Sequence, residues 1–365
     1  MPTQAAAPSG AAALLARPET PVPVAALLEV GVLDELTAVG ALVEDISRAH
    51  PVWRVRLADG RRLVVKAGIG HGGPDLAVEC LVYRMTRWCA PLAAALPAPL
   101  LVDEDRQLLV LADVGGEDCR GSLAQQLGFP ALIGGAPPTG VLSTTDADAL
   151  GRSIGALHRA TAGFPLPPAP PPLVLALVAR PPGSPAPTTL SREVHDTLAA
   201  LDGRPAVVEA VTELRRPVTG CLVNHDLKWD NVVLSGPGRD PVLLDWELAG
   251  SGDPAWDLGC LLAEHLVRLP SPGPDVPGPV TGLDGASRAL LDGYAEGARP
   301  RPAIAATLAR RVVLSAGLRI GQLALEVAYT PQAGDGDAAA RLTDRAESVL
   351  LAHTRLTQEV LGCLS

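Results

Sequence analysis

The sequence predicts an α+β protein of two lobes, a small one built on an antiparallel sheet with one helix and a larger, mainly helical one. Three observations carry this expectation. The 365 residues are ample for two lobes with a core. Trp53-Arg54-Val55-Arg56-Leu57 alternates in polarity, Asp59-Gly60 supplies a turn, and Arg61 to Lys66 returns, which reads as a β-hairpin. From Asp146 onward, apolar residues recur mostly at helical spacing, interrupted by two proline-rich stretches.

In chain order, residues 1–22 are rich in Ala and Pro and predict a disordered tail. Val24 to Val43 follows a helical pattern interrupted by Gly31 and Gly40. After the hairpin, His71-Gly72-Gly73-Pro74-Asp75 predicts a loop ending in a helix N-cap. Val78, Val82, Met85 and Cys89 then make an apolar stripe. Short strands are expected near Pro99–Val102 and Leu108–Ala112, closing a first lobe over 23–112. The second lobe, 113–365, opens with a helix over Asp146–Thr161, where Leu150, Ile154, Leu157 and Ala160 are in register. Residues 163–189 are too dense in proline for a regular helix, and a second Pro/Gly-rich stretch runs from Pro270 to Gly285. Val312 to Tyr329 reads as a buried helix although it carries Arg319 and Glu326.

Bulk composition excludes some function classes. A formal net charge of -10 argues against a nucleic-acid partner bound by bulk electrostatics, and is compatible with a cationic substrate. No apolar run reaches about 18 residues without a charge or a proline, so no membrane span is expected. Cys80, Cys89, Cys119, Cys221, Cys260 and Cys363 have no paired spacing and read as reduced thiols. With an N-terminus that lacks the basic region of a signal peptide, they predict a cytoplasmic protein.

The chain contains only two lysines and two asparagines, and three of these four lie between Asn224 and Asn231. The other is Lys66, at the end of the apolar run Leu63-Val64-Val65. Arginine supplies the remaining basic charge, so each retained lysine marks a position where arginine would not serve. Val232-Val233-Leu234 and Val242-Leu243-Leu244 flank the turn formers Ser235 to Asp240. A hairpin centred on Gly238 would set Asn231 opposite Asp245, with Cα atoms about 5 Å apart. An amide and a carboxylate oxygen side by side suit Mg²⁺. Asp226, five residues before Asn231, would aim its carboxylate into the same space to accept or orient an attacking hydroxyl. Lys66 would bury its stem and present an ammonium to phosphate oxygens. Glu79, on the shoulder of the apolar stripe, is its expected partner.

These residues resemble the aminoglycoside phosphotransferase and choline kinase-like group, which has the protein-kinase-like fold. The catalytic loop stands as Asn224-His225-Asp226 with Asn231, the metal segment as Leu243-Leu244-Asp245-Trp246-Glu247, and the continuation as Gly252-Asp253-Pro254-Ala255-Trp256-Asp257-Leu258-Gly259. The resemblance implies a nucleotide-binding first lobe, a catalytic and substrate-binding second lobe, and ATP with Mg²⁺. By it, Asp226 is the catalytic base, Asn231 and Asp245 are metal ligands, Lys66 contacts the phosphates and Glu79 pairs with Lys66. The base of the nucleotide would lie near Leu111 to Val114, with Ala112 and Val114 in contact. Asp253 and Asp257 would brace the loop after the metal segment.

Three departures stand out. Position 224 is Asn where the group has His, which stands next door at 225, and either Asn224 or His225 would take the bracing hydrogen bonds. Ser47-Arg48-Ala49-His50-Pro51 replaces a glycine-rich phosphate loop, so Ser47, Arg48 or His50 would cover the phosphates. Lys228, two residues after Asp226, resembles the Ser/Thr protein kinases, where such a lysine steadies the transferred phosphate. The expected activity is phosphate transfer from ATP to an alcohol of a small molecule, aminoglycoside-like or another natural product. Ser or Thr of a precursor peptide is an alternative acceptor, and a pseudokinase scaffold an alternative function.

Overall fold

A computed structural model describes residues 22–47, 51–68, 75–114, 142–180, 190–234, 240–268, 280–330 and 336–365. The chain divides into two compact units. The first holds residues up to 119 together with Leu244–Glu247, and the second holds 120–243 and 248–365.

In the first unit, helix α1 (Val22–Glu29) and the short α2 (Glu35–Ala38) precede β1 (Leu42–Asp45). The helical pattern expected over Val24–Val43 is therefore broken into three elements. Gly31 and Gly40 take φ of 71° and 77°, a left-handed conformation that ends a helix readily at glycine. Strands β2 (Val52–Arg56) and β3 (Arg62–Ala67) form the expected hairpin, and β4 (Pro99–Asp103) and β5 (Leu108–Ala112) follow helices α3 (Ala77–Met85) and α4 (Ala90–Ala95). The five strands pair antiparallel in the order β1-β2-β3-β5-β4. The sheet thus carries further helical segments besides the one expected after the hairpin.

Strand alternation decides which side chains face where. Leu63, Val65 and Ala67 join Val55, Leu57, Leu108 and Val110 in a core closed by Ala26 and Leu27 of α1. Lys66, offset by one, belongs to the opposite face, in register with Val52 and Leu109. Helix α3 buries Cys80, Val82, Tyr83 and Met85, and with them Glu79 in its first turn. Cys89, expected on the same stripe, instead stands at the N-cap of α4.

The second unit is mainly helical. Helix α5 (Thr144–Thr161) is capped by Ser143, whose hydroxyl accepts from Asp146 N. The proline-rich stretch after it contains one five-residue helix, α6 (Leu173–Leu177), within its described part. Helices α7 (Arg192–Asp202) and α8 (Pro205–Leu214) lead to β6 (Cys221–Val223), a 3-10 turn at Trp229–Asn231, and the pair β7 (Val232–Val233) and β8 (Val242–Leu243). Strand β9 (Gly250–Gly252) returns beside β6. Helices α9 (Pro254–Leu266), α10 (Gly285–Ala298), α11 (Pro302–Tyr329), α12 (Gly336–Leu351) and α13 (His353–Leu364) complete the unit.

The β7–β8 register differs from the expected one by a single residue. Val232 pairs with Leu243 and Val233 with Val242, where a hairpin centred on Gly238 would pair Val232 with Leu244. A one-residue slip turns a strand's side chains over, so burial selects the register. The observed pairing opposes Val232 and Leu243, both fully buried.

Helix α11 is long and apolar enough to cross a membrane by length and composition, but 78% of its most apolar stretch is buried inside the protein. It packs against α9, α12 and α13. Helices α5 and α10 approach most closely where Gly151 meets the backbone of Leu290 and Gly293 meets that of Asp148.

Candidate active site

In the first unit, the Lys66 ammonium donates to Glu79 Oε1 at 2.9 Å and Oε2 at 3.1 Å, and to Asp245 Oδ1 at 3.1 Å. Burial disfavours its charged form, but Glu79 and Asp245 outweigh that and raise its pKa. Lys66 is therefore a fixed cation at neutral pH. Glu79 is 1% exposed and Tyr83 lies buried beside it, so the pair is screened from water. Asp245 reaches Lys66 from the segment Leu244–Glu247, which packs with this unit, and takes a φ of 60°. A left-handed non-glycine residue is an uncommon state that surrounding contacts must enforce.

Ala112 and Val114 stand half-buried at the end of β5, where Ala112 N donates to Ala98 O and Asp113 N to Arg62 O. The Ser47 hydroxyl closes the turn between β1 and β2, accepting from Val52 N at 3.0 Å and donating to Val52 O at 3.3 Å. Arg48 and His50 lie outside the described residues.

In the second unit, Asn224 to Asn231 link β6 to β7. Asp257, in the first turn of α9, accepts from Asn224 N at 2.8 Å and from His225 N at 2.9 Å. Trp256 Nε1 donates to His225 O at 3.1 Å. These three bonds hold His225 at φ 73°, a conformation that costs a residue with a Cβ roughly 1–2 kcal/mol. Asn224 is fully buried, and its side-chain oxygen accepts from Asp226 N at 3.2 Å. His158 lies in the core, within hydrogen-bond reach of Asp257 on one side and the Tyr294 hydroxyl on the other. Asp257 thus braces the loop before Asp226, rather than the one after the metal segment. Asp253 caps α9 and pairs with Arg311 at 2.6 Å.

The Asp226 carboxylate lies between two cations. Lys228 Nζ contacts Oδ2 at 2.5 Å, and Arg319 Nη2 stands 3.6 Å from Oδ1. Burial works against the Lys228 charge, and Asp226 reverses that effect, so its pKa is raised. Asn231 Nδ2 donates to Asp226 O at 2.9 Å. A carbonyl only accepts, so the amide orientation is settled and Oδ1 is turned the other way.

Asn231 and Asp245 are divided between the two units. Among the described residues, no group of three or more His, Cys, Asp or Glu side chains is placed to hold a metal ion. The Asn231 amide oxygen and the Asp245 carboxylate are each hard donors of the kind Mg²⁺ accepts.

Residues 43–303, more than half of the chain, match the model of the phosphotransferase enzyme family designated APH. The chain belongs to this family. As a member, it is a kinase whose phosphate acceptor is an alcohol group. No curated protein gives a significant sequence match. Solved structures similar to this chain include a choline/ethanolamine kinase family protein from Mesorhizobium loti, 17% identical, TM-score 0.54, over 93% of this chain and 98% of that one. The choline kinase LicA from Streptococcus pneumoniae is 14% identical, TM-score 0.55, over 91% and 98%. The amicoumacin kinase hAmiN is 14% identical, TM-score 0.53, over 88% and 92%. At such identities the likeness concerns the fold, which is the two-lobed protein-kinase-like one.

Arg319 and Glu326 were legible in the sequence only as charges within a buried helix, and the fold brings Arg319 beside Asp226. Glu326, seven residues later, lies on the same helical face two turns on.

Proposed function

We propose that this chain transfers the γ-phosphate of ATP, with Mg²⁺, to a hydroxyl group of a small molecule. The Lys66 ammonium held by Glu79 and Asp245 carries the reading, because a half-buried lysine kept charged by two carboxylate partners is suited to binding phosphate oxygens. Lys66 would bind nucleotide phosphates, with Glu79 fixing its direction. Asn231 and Asp245 would hold the metal, which when bound offsets charge on the phosphates. Asp226 would orient the acceptor hydroxyl and take its proton while that oxygen bonds to the γ-phosphorus and the bond to the ADP oxygen breaks. Asn224 and Asp257 would keep the loop in place. An adenine nucleotide is supported by the similar structures, since LicA holds AMP and hAmiN holds AMP-PNP with Ca²⁺.

The test is phosphate release or transfer from ATP by the purified chain, with and without Mg²⁺, against Asp226→Ala. Metal-dependent turnover in the wild type and a loss of about a thousandfold in the variant are expected. Equal background in both would leave a nucleotide-binding scaffold as the better reading.

A second reading, transfer to Ser or Thr of a peptide, draws on the 2.5 Å contact of Lys228 with Asp226. There Lys228 would bridge the carboxylate and the transferred phosphate. Product on a Ser/Thr peptide but on no small alcohol would favour it.

A further inference from the structure

The surroundings of Asp226 bear on how its carboxylate is held. Arg319 is 1% exposed and lies midway along α11. Its Nη1 donates to Glu326 Oε1 at 2.5 Å, and Gln322 Nε2 donates to the same oxygen at 3.1 Å. Among the described residues its buried Nε and Nη2 have no hydrogen-bond partner, and Nη2 faces Asp226 Oδ1 at 3.6 Å. A buried guanidinium with two unmet donors is costly, and the nearby carboxylate is what offsets that cost. Lys228 contacts the other carboxylate oxygen. Asp226 and Glu326 therefore meet two cations, Arg319 and Lys228.

We propose that Arg319, anchored by Glu326, is a positioning residue for Asp226. This rests on the phosphotransfer reading and adds a residue to its machinery. Glu326 restrains one end of the guanidinium, so Nη2 stays beside Oδ1 at 3.6 Å without closing on it as a direct hydrogen bond. The carboxylate is held in direction while remaining able to receive a hydroxyl proton.

The experiment uses the full chain with MgATP. Kanamycin and choline serve as cationic alcohols, mannitol as a neutral one, gluconate as an anionic one, and water as the acceptor when nothing is added. Wild type, Arg319→Lys, Arg319→Gln and Glu326→Gln are compared, with thermal unfolding to confirm the folded fraction. Arg319→Gln should lower kcat by at least about tenfold while KM for ATP stays within about twofold, and Arg319→Lys should recover part of the loss. Glu326 is 42% exposed, so Glu326→Gln leaves the core intact and still should lower kcat several-fold if Arg319→Gln fails to fold. Wild-type kcat in a folded Arg319→Gln or Glu326→Gln would overturn the proposal. Wild-type turnover no higher than that of Asp226→Ala would instead remove the phosphotransfer reading itself.

Discussion

Lys66 and Lys228 are the two lysines of the chain, and each is in contact with a carboxylate. Both ammonium groups have raised pKa values, so both stay charged through the physiological range. Lys66→Arg should lower kcat for ATP turnover by about a hundredfold, because a planar guanidinium does not fit where a compact ammonium serves Glu79 and Asp245 together. Activity near wild type would show that charge alone is enough there. Asn224 is the other residue that scarcity exposed. Its side chain accepts from Asp226 N, a contact aspartate could also supply, but a buried aspartate would add a charge beside Asp257. Asn224→Asp should therefore reduce kcat with the fold retained, read by steady-state kinetics and circular dichroism.

Among the secondary-structure elements, the β2–β3 hairpin and strands β4 and β5 were legible because alternation, apolar runs and turn residues are local signals. The expectation of one helical run over Val24–Val43 missed that Leu42–Asp45 gains a sheet partner in β2, which local pattern does not report. The β7–β8 register was off by one residue because turn composition locates a hairpin without setting which side chains become buried. Helices α5 and α10 pack through facing glycines. A Cβ on Gly151 would lie 1.9 Å from the carbonyl oxygen of Leu290, so one helix must shift to admit it. Gly151→Ala should destabilise the second unit by about 1–3 kcal/mol, measured from the midpoint of urea unfolding. An unchanged midpoint would mean that the helices slide apart at no cost.

For the molecule as a whole, the described cysteines test how completely the cores are closed. Cys80, Cys221 and Cys260 are free and buried, and burial raises the pKa of each, with Cys80 pushed up to about 11. Because the thiolate is the reactive form, these three should resist a thiol reagent in the native state at pH 8 and react only on unfolding. Rapid modification of all three without denaturant would contradict the packing of both units. Leu244–Glu247 adds a second consequence, since it leaves its neighbours in sequence to pack with the N-terminal unit. A fragment ending near residue 119 would lack Asp245, one of the two acceptors of Lys66, and should unfold at a lower temperature than the same region within the whole chain.

The kinase family, the two-lobed architecture and most of the candidate site could be read from contiguous residues. A motif such as Asn224-His225-Asp226 to Asn231 carries its chemistry within one loop, and hairpin and helix periodicities depend on near neighbours. Three features came from packing instead. Asp257 reaches back to brace the amides of Asn224 and His225, Asp245 joins Lys66 and Glu79, and Arg319 faces Asp226 from the middle of α11. Each joins residues tens to more than a hundred positions apart. A charge or a polar group buried away from water must find a partner wherever the fold brings one, and sequence spacing does not specify which partner that will be.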